Sequence, residues 1–490
     1  MRKRWAGRLP AAGLAALLAA FLAGCAAPVR IKVAMDMRPG QEALYKTRIL
    51  KAFEKKHKCI VELAPAPDAA KLPELLAAGD TIDLVASPLS MTRTLVGRNL
   101  IAPLDAITMP KDLAEARKEF FLTDLGVVDG RTFFLPRYVE TPVLIYLKSK
   151  VAEAAQYWEI RRDDINRALA RYNGRGLPRG YTLEKDPSQW DWFDLFVAGW
   201  YWNSKEVQGQ RRGRMALGPL GSPSAPEALM DACFLTGVSS EGLLAMNDAG
   251  VADMFQWQSA LAREGILNPG LIKERWTDEQ VREGFRSGEL YLSAVPQGEA
   301  FQIHGTGSAD LPGYLADPED MGVAVMPKGN SLLLDGNGDP LREGRRSVAT
   351  RSYWWGVTQE ARNPKLAYEL ARFLSDTENQ VLESSAFGMV PVRQDLLGEL
   401  GLMFGGGWTA EVFQTASQQL VENRLTTAPL LAEFPEVARN YQDAYEDICL
   451  PGPGQKTRYE DVRKALEDRW VPRERQILGA KYPVKALSSR

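Results

Sequence analysis

Hydrophobic and polar residues follow patterns in the early part of the chain that predict alternating strands and helices. Apolar side chains occupy every second position over 31–35, recur at helical spacing over 45–53, and return as an apolar run over 59–63. A helical stretch over 72–78 and a short apolar run over 82–86 follow. This order predicts an α/β region with a parallel sheet in the first hundred residues.

The later part of the chain keeps this mixture but has longer helical stretches. Thr277 and Gln280 form a capping-box sequence at the start of one helix, and Gly288 is suited to end it in the left-handed conformation. The run 290–295 then predicts a strand, and Pro364 begins another helix. Because 490 residues exceed what one hydrophobic core usually organises, two domains or lobes are expected.

The first thirty residues have the pattern of a targeting segment. Four basic residues precede an uncharged run over 9–29 that is rich in Ala and Leu. Within this run, residues 22–25 read Leu-Ala-Gly-Cys, which is similar to the lipobox of bacterial lipoprotein precursors. The resemblance implies that residues 1–24 are a signal peptide, that Cys25 is lipidated, and that 25–30 form a lipidated linker. The alternative is an uncleaved signal anchor. The small and helix-breaking residues over 24–28, at the end of the uncharged run, favour cleavage by a peptidase over a membrane-spanning helix.

Charge and cysteine content narrow the class of protein further. The chain has 60 basic and 62 acidic residues, so it has no positive field to attract nucleic acid. Removing residues 1–24 leaves 56 basic against 62 acidic residues, a formal charge of −6. The three cysteines beyond Cys25 are far apart and odd in number, so neither a disulfide framework nor a zinc spacing is present.

The motifs of common enzyme classes are missing from the sequence. The only two histidines, His57 and His304, lie far apart without the spacing of a zinc protease, and no nucleophile elbow or P-loop occurs. The turn-rich segment 335–339 lacks the ligand spacing of a calcium loop. We therefore expect no metal and no cofactor. Paired carboxylates could still come together in the fold, so a glycosidase stays open.

Trp354 and Trp355 are the most informative of the aromatic residues. Most aromatic side chains belong to cores. Adjacent residues on a strand point to opposite faces, so at most one of these two indoles enters a given core. The other indole is expected to meet a different surface.

Seven segments, taken in chain order, carry a family resemblance; they lie at 31–56, 83–86, 135–146, 285–290, 323–329, 363–374 and 388–393. In this order they resemble the family 1 extracellular solute-binding proteins, the sugar-type binding proteins of ABC importers that include maltose-binding protein. The resemblance implies an α/β, two-lobe periplasmic binding protein-like fold of type II with hinge-crossing strands. It places the first lobe at 30–139 and 351–390, and the second at 140–350 and 391–490.

The same resemblance implies a set of ligand contacts in loops after strands and on the crossing segments: Asp36, Met37, Arg38, Ser87, Tyr138, Glu140, Gln297, Trp354 and Trp355. Glu140 is the expected acceptor for solute hydroxyls. Ser87 stands where a sugar-binding relative can carry an aromatic residue, which weakens stacking there. Gln297 lies where the family often has a nearby Trp, so a hydrogen bond is expected in its place, and one of the two adjacent tryptophans is expected to be a sugar platform.

These features together predict a lipid-anchored, extracytoplasmic receptor on a bacterial membrane, in the periplasm or at the cell surface. It would be a monomer without enzymatic activity, would bind a sugar, oligosaccharide or similar polar solute between its lobes, and would deliver it to the permease and ATPase of an ABC importer. A surface-bound carbohydrate-active hydrolase with paired carboxylates is the first alternative. A receptor that passes its signal to a sensor is the second, and the same site chemistry would also hold a peptide or a polyamine.

Overall fold

A computed structural model describes most of the chain, over residues 28–65, 71–78, 81–204, 213–217, 225–268, 271, 274–306, 311–397, 406–424, 426–450 and 452–483. The predicted signal peptide over 1–24 and the lipidation site Cys25 lie outside these residues. None of the described helices is both long enough and apolar enough to cross a membrane.

The strands of the described residues form two main sheets and a short hairpin. The strands are β1 (Val29–Met35), β2 (Cys59–Pro65), β3 (Leu84–Pro88), β4 (Val127–Val128), β5 (Arg131–Thr132), β6 (Phe134–Glu140), β7 (Pro142–Leu147), β8 (Met215–Ala216), β9 (Leu292–Pro296), β10 (Met321–Ala324), β11 (Arg351–Val357) and β12 (Val390–Pro391). The six-stranded sheet has the order β12-β6-β11-β3-β1-β2, and the four-stranded sheet has the order β10-β7-β9-β8. We call the parts built on these two sheets the first lobe and the second lobe.

Helices cover the faces of both sheets. The α-helices are α1 (Gln41–Leu44), α2 (Leu50–His57), α3 (Leu72–Ala77), α4 (Leu89–Gly97), α5 (Pro110–Glu119), α6 (Lys148–Tyr157), α7 (Arg162–Asn173), α8 (Trp192–Ser204), α9 (Ala225–Leu235), α10 (Ser240–Ala245), α11 (Ala249–Arg263), α12 (Asp278–Arg286), α13 (Gly298–His304), α14 (Pro364–Leu374), α15 (Thr377–Phe387), α16 (Gln394–Leu397), α17 (Trp408–Asn423), α18 (Phe434–Cys449), α19 (Tyr459–Ala465) and α20 (Val471–Leu478). Two π-helical turns, Tyr45–Ile49 and Leu466–Trp470, continue α1 into α2 and α19 into α20.

The centre of the first lobe is a parallel arrangement of β1 with β2 and β3. Val33 pairs with Leu63 on one side and with Leu84 on the other. Because helices cover both faces of the sheet, Val33 and its neighbour Ala34 are both fully buried although they point to opposite faces. The predicted parallel sheet of the first hundred residues is confirmed. The rest of this sheet is antiparallel, since β11 pairs with both β3 and β6 in that sense.

The second lobe surrounds its four strands with long helices. Its core includes Trp190, Phe193 and Trp257, with the two rings of Phe193 and Trp257 packed edge to face 5.0 Å apart. The C-terminal helices α18 to α20 join this core through residues such as Tyr441 and Trp470. The helix predicted to begin at Thr277 has the expected capping box.

The chain passes directly from one sheet to the other at Thr141, the single residue between β6 and β7. It returns to the first sheet at β11. The two-lobe α/β fold predicted from the sequence is therefore confirmed. Two of the predicted site residues, Tyr138 and Glu140, lie on β6 just before the crossing.

Candidate functional site

The loop after β1 brings charged side chains to the carboxyl end of the parallel strands, where the two lobes meet. The backbone N–H of Arg38 donates to Gln41 Oε1 at 3.0 Å, which fixes the start of α1 against the loop. Gln41 is itself buried, and its Nε2 donates to Glu383 Oε1 at 2.8 Å. The backbone of this loop is therefore held by buried side chains, so Asp36 and Arg38 have defined positions.

Arg38 connects the first lobe, the crossing segment and the second lobe. Its Nη2 is hydrogen-bonded to Glu140 at the end of β6, and its Nη1 donates to the backbone oxygen of Phe387 at 2.9 Å. Its Nε lies 3.9 Å from Glu299 Oε1 of α13 in the second lobe. Glu299 in turn accepts from Arg282 Nη1 at 2.7 Å. Two arginines and two glutamates thus form one charged network across the lobe junction.

Asp36 is exposed at the loop after β1, although protein surrounds much of its carboxyl. Its side chain is exposed to solvent, yet burial by surrounding protein raises the pKa of its carboxyl, and the positive charges of Arg38 and Arg137 oppose that rise. Exposure to solvent combined with desolvation by protein is what a carboxyl in a cleft experiences. Its neighbour Met37 is half-buried and packs against the first-lobe core, so it supports the loop.

Gly298 allows the second lobe to approach this charged network closely. A Cβ atom added at this residue would lie 2.5 Å from both Arg38 Nη1 and Glu140 Oε1. Gln297, just before it, is fully buried. Its Nε2 donates to Gly388 O at 3.0 Å, and its Oε1 accepts from Thr141 N at 2.6 Å. Gln297 therefore holds the crossing segment in place by hydrogen bonds. Its amide N–H and its amide oxygen both have protein partners.

Tyr138 and Tyr353 form an aromatic stack beside the network. Their ring centroids are 4.6 Å apart with an interplanar angle of 24°, because β6 and β11 pair them directly across the sheet. The pairing register between β6 and β11 shifts between Tyr353 and Trp354. The stacked tyrosines therefore lie on one side of this irregularity, and the pairs from Trp354 onward lie on the other. Burial, followed by the charges of Glu140 and Asp36, raises the pKa of the Tyr353 phenol. Tyr353 is half-buried, so part of its ring remains accessible.

The structure does not bring Trp354, Trp355 or Ser87 to the accessible part of the site. Trp354 is fully buried in a core on one face of the first sheet, and Trp355 is buried in the larger core on the other. Ser87 pairs with Trp354 across the sheet and is also fully buried, with its hydroxyl donating to Pro88 O at 3.1 Å. The two indoles therefore point to different cores on opposite faces, as expected, but neither is accessible to a solute in this structure, because both faces of this sheet have a core.

A second ion cluster lies at the start of β11. Arg351 Nη2 is 3.1 Å from Asp231 Oδ2, and Arg351 Nε is 3.8 Å from Glu227 Oε2. Asp231 Oδ1 accepts from the backbone N–H of Ala349 at 2.8 Å. Burial raises the pKa of Asp231 to about 6, and the charge of Arg351 opposes the shift. Glu227 also accepts from Ser90 Oγ of α4 at 2.6 Å, so this cluster joins the second lobe to the first.

A hollow between the lobes lies at this second cluster. Its open space of about 320 Å³ is partly continuous with solvent, and its lining includes Ser90, Glu227, Thr350, Arg351, Ser352 and Tyr353. We call it the interlobe hollow. A neighbouring hollow of about 430 Å³ lies in the second lobe and shares Arg351 as a lining residue. We call it the second-lobe hollow. The polar and aromatic groups of the interlobe hollow thus lie beside a mostly apolar hollow.

A larger hollow of about 1150 Å³ lies elsewhere, on the outer side of the first lobe between α2, α5 and α14. Many of its charged side chains are paired with each other; Glu119, for example, accepts from Arg372 Nη2 at 2.6 Å. Since the second-lobe sheet and its helices do not line it, movement of the lobes would not enclose a ligand there. Across the residues the structure covers, no group of three metal-binding side chains is found.

The structure brings together five of the predicted site residues and adds others that sequence reasoning missed. Asp36, Arg38, Tyr138, Glu140 and Gln297 lie at the lobe junction. The missed residues are Glu227, Asp231, Glu299, Arg351 and Tyr353. A signal for the last two was available, because Arg351 and Tyr353 alternate on one strand just before the two tryptophans. The acidic residues of α9 carried no such signal, since only the fold brings them to β11.

Similar solved structures share this two-lobe fold. The maltose-bound MalE3 of T. maritima is 16% identical with a TM-score of 0.65, covering 90% of this chain and 99% of that one. A solute-binding protein of an ABC transporter from Thermotoga lettingae, bound with α-D-tagatose, is 13% identical with a TM-score of 0.66, covering 92% and 100%. An ABC substrate-binding protein from Listeria monocytogenes in complex with cycloalternan is 14% identical with a TM-score of 0.66, covering 93% and 99%.

The sequence itself gives the family. A search among curated proteins finds no match. The profile of the bacterial extracellular solute-binding proteins matches residues 48–419, which is about three quarters of the chain and includes the Arg351 ion cluster and the Tyr138–Tyr353 stack. This protein therefore belongs to the bacterial extracellular solute-binding protein family.

Proposed function

We propose that this protein is the lipid-anchored receptor of an ABC importer and binds a carbohydrate or a similar polar solute between its two lobes. The interlobe hollow is the observation that carries the proposal, because both lobes and the strand that crosses between them supply its polar groups. A solute that contacts both lobes at once favours the arrangement in which they lie together. The similar structures bound to maltose, tagatose and cycloalternan support a sugar as the solute.

The chemistry of the hollow suits a polyhydroxylated solute. Sugar rings combine apolar C–H faces with hydroxyl groups along their edges. Tyr353 offers an aromatic surface, Arg351 offers guanidinium donors, and Glu227 offers carboxylate acceptors. In this proposal residues 30–139 and 351–390 form the lobe that carries Tyr353, and 140–350 with 391–490 form the lobe that carries Glu227.

The receptor proposal involves no chemistry on the solute. The carboxylates at the junction are engaged in ion pairs, Glu140 with Arg38 and Asp231 with Arg351, which suits binding and gives no separate acid and base. A hydrolase would release new reducing ends from a glycan, so incubation with maltodextrin and an assay of reducing ends separates the two functions. Release at a rate above that of heat-inactivated protein would contradict the receptor proposal.

Calorimetric titration tests solute binding directly. We expect the mature protein, starting at Cys25 replaced by Ser, to release or take up heat with at least one of maltose, maltotriose, cycloalternan and tagatose. Arg351→Met is expected to weaken that binding at least tenfold, because the hollow loses its guanidinium donors. No heat and no thermal shift with any member of the panel would contradict carbohydrate binding.

The anchor and the importer partners need a separate test in cells. We expect labelled palmitate to be incorporated into the full-length chain and the Cys25→Ser variant to leave the membrane fraction. Growth on the identified solute should then depend on the permease and ATPase genes. Incorporation of labelled palmitate into the Cys25→Ser variant would place the lipid on another residue. Growth on the solute that does not depend on the permease would favour a sensory role.

A further inference from the structure

The second-lobe hollow has walls that differ from those of a site built for an unsubstituted sugar. Ten of its thirteen lining residues are apolar, among them Trp192, Leu195, Leu235 and Met326. Its open space of about 430 Å³ is partly continuous with solvent. A sugar ring has hydroxyl groups around its whole edge. Most of them would lose water in this hollow without finding a partner, which is unfavourable.

Two polar groups in the hollow have no hydrogen-bond partner among the described residues. Gln258 lines the hollow and is only 5% exposed, yet its side-chain amide makes no hydrogen bond to any other residue that the structure describes. The indole N–H of Trp192, which is 3% exposed, likewise has no partner among those residues. Neither group belongs to the fully buried side-chain atoms that lack a partner, so both reach the open space of the hollow. A mostly apolar lining with an accessible amide and indole N–H suits a ligand group with an apolar body and one or two acceptor atoms.

The hollow is connected to the interlobe hollow through Arg351, which lines both. On α9, Glu227 lines the interlobe hollow and Asp231, one helical turn later, lines the second-lobe hollow. A substituent attached to a sugar in the interlobe hollow can therefore pass Arg351 and enter the second-lobe hollow.

We propose that the second-lobe hollow is a subsite for a short apolar substituent, so that the preferred solute is an alkyl or aryl glycoside instead of an unsubstituted sugar. This inference rests on the proposed function. The sugar head occupies the interlobe hollow, beside Tyr353 and Glu227. The apolar group lies against Trp192 and Leu235, and the glycosidic or a nearby oxygen accepts from the open donors of Gln258 and Trp192.

Titration with a series of glycosides tests the inference. Methyl, butyl, hexyl and phenyl glucosides and maltosides share one head group and differ only in the substituent. We expect the affinity to rise about fourfold for each added methylene until the hollow is full, and the phenyl glycoside to bind much more tightly than the methyl glycoside. Equal affinities across the series would overturn the inference and leave the proposed function standing. No binding of any carbohydrate would overturn both.

Variants that fill the hollow show where the substituent lies. Ala228→Leu on α9 and Ala294→Leu on β9 add bulk from different sides of the hollow. We expect either variant to keep the affinity for the methyl glycoside within threefold and to abolish the gain from hexyl and phenyl groups. Ala114→Leu, on the exposed side of α5, is the matched control and should behave as the native chain. A gain that persists in both filled variants, each shown to be folded by its thermal transition, would place the substituent elsewhere and overturn the inference.

Discussion

Arg38 and Glu140 form an ion pair that joins the loop after β1 to the carboxyl end of β6, at the residue before the chain crosses to the second lobe. Their side chains are only 15% and 3% exposed. Glu299 of the second lobe approaches the same guanidinium, so the pair lies at the contact between the lobes. The loop that carries Asp36 and the strand that carries Tyr138 are held together by this contact.

Removal of Arg38 is expected to destabilise the protein strongly. Arg38→Met leaves the carboxylate of Glu140 buried without its partner, which should lower the free energy of unfolding by about 3 kcal/mol at pH 7. Urea denaturation measures the change. Arg30→Met is the matched control, because Arg30 pairs with Glu62 on the surface, where such pairs contribute about 0–1 kcal/mol.

A double-mutant cycle with Glu140→Gln isolates the contribution of the pair itself. We expect the double variant to be less destabilised than the sum of the two single variants, because neither charge is then left alone. Additive losses would mean that Arg38 acts mainly through its hydrogen bond to Phe387 O and its contact with Glu299.

Tyr353 and Trp355 are expected to separate solute binding from stability. Tyr353→Leu removes the accessible ring from the interlobe hollow and should weaken solute binding at least tenfold, with a smaller effect on folding. Trp355→Phe removes the indole N–H that donates to Ser375 Oγ at 3.1 Å, which should cost about 1 kcal/mol of stability and leave affinity within twofold. Titration and thermal unfolding of both variants check this. If Trp355→Phe weakened solute binding and Tyr353→Leu did not, Trp355 would be the residue that contacts the ligand.

Local patterns predicted the elements of this fold well because local chemistry determines them. Alternating apolar residues over 31–35 became β1, and the capping box at Thr277 begins α12 as expected. Two strands begin later than expected: β3 begins at Leu84 although its apolar run starts at Ile82, and β9 begins at Leu292 although its run starts at Leu290. A strand boundary depends on backbone partners in other segments, which the sequence of one strand does not show.

The candidate site could be predicted only in part, because it depends on contacts between distant segments. Asp36, Arg38 and Glu140 follow or end strands of the first sheet, so their meeting could be expected from the order of strands. Glu227 and Asp231 come from a helix of the other lobe, about 120 residues before their partner Arg351. The two tryptophans were misjudged because a strand pattern does not tell whether one or both faces of a sheet are covered.

Solute affinity is expected to depend on pH through Asp231. Its pKa of about 6 means that the carboxyl is ionised at pH 7.5 and mostly protonated at pH 5. The ionised form pairs with Arg351 and holds the guanidinium at the hollow, so affinity should be higher at pH 7.5. In Asp231→Asn the affinity should stay near the low-pH value throughout. Titrations at pH 5 and 7.5 check this, and an equal pH dependence in the variant would assign the effect to another group.

Glu474 is expected to make folding less favourable as the pH rises. It is fully buried in α20, where Asn440 Nδ2 donates to its Oε2 at 2.7 Å, and burial raises its pKa to about 7 from an ordinary value near 4.5. Between these two pKa values the folded chain keeps a proton that the unfolded chain has lost. The contribution of Glu474 to the free energy of unfolding is therefore fully present below about pH 4.5. It is lost as the pH rises through 7, by on the order of 3 kcal/mol. Urea denaturation at pH 5 and 8 should show a smaller decline for Glu474→Gln, which stays neutral, and the native decline for Glu460→Gln on the exposed side of α19. The same decline in all three proteins would show that Glu474 ionises at its ordinary pKa in the folded state.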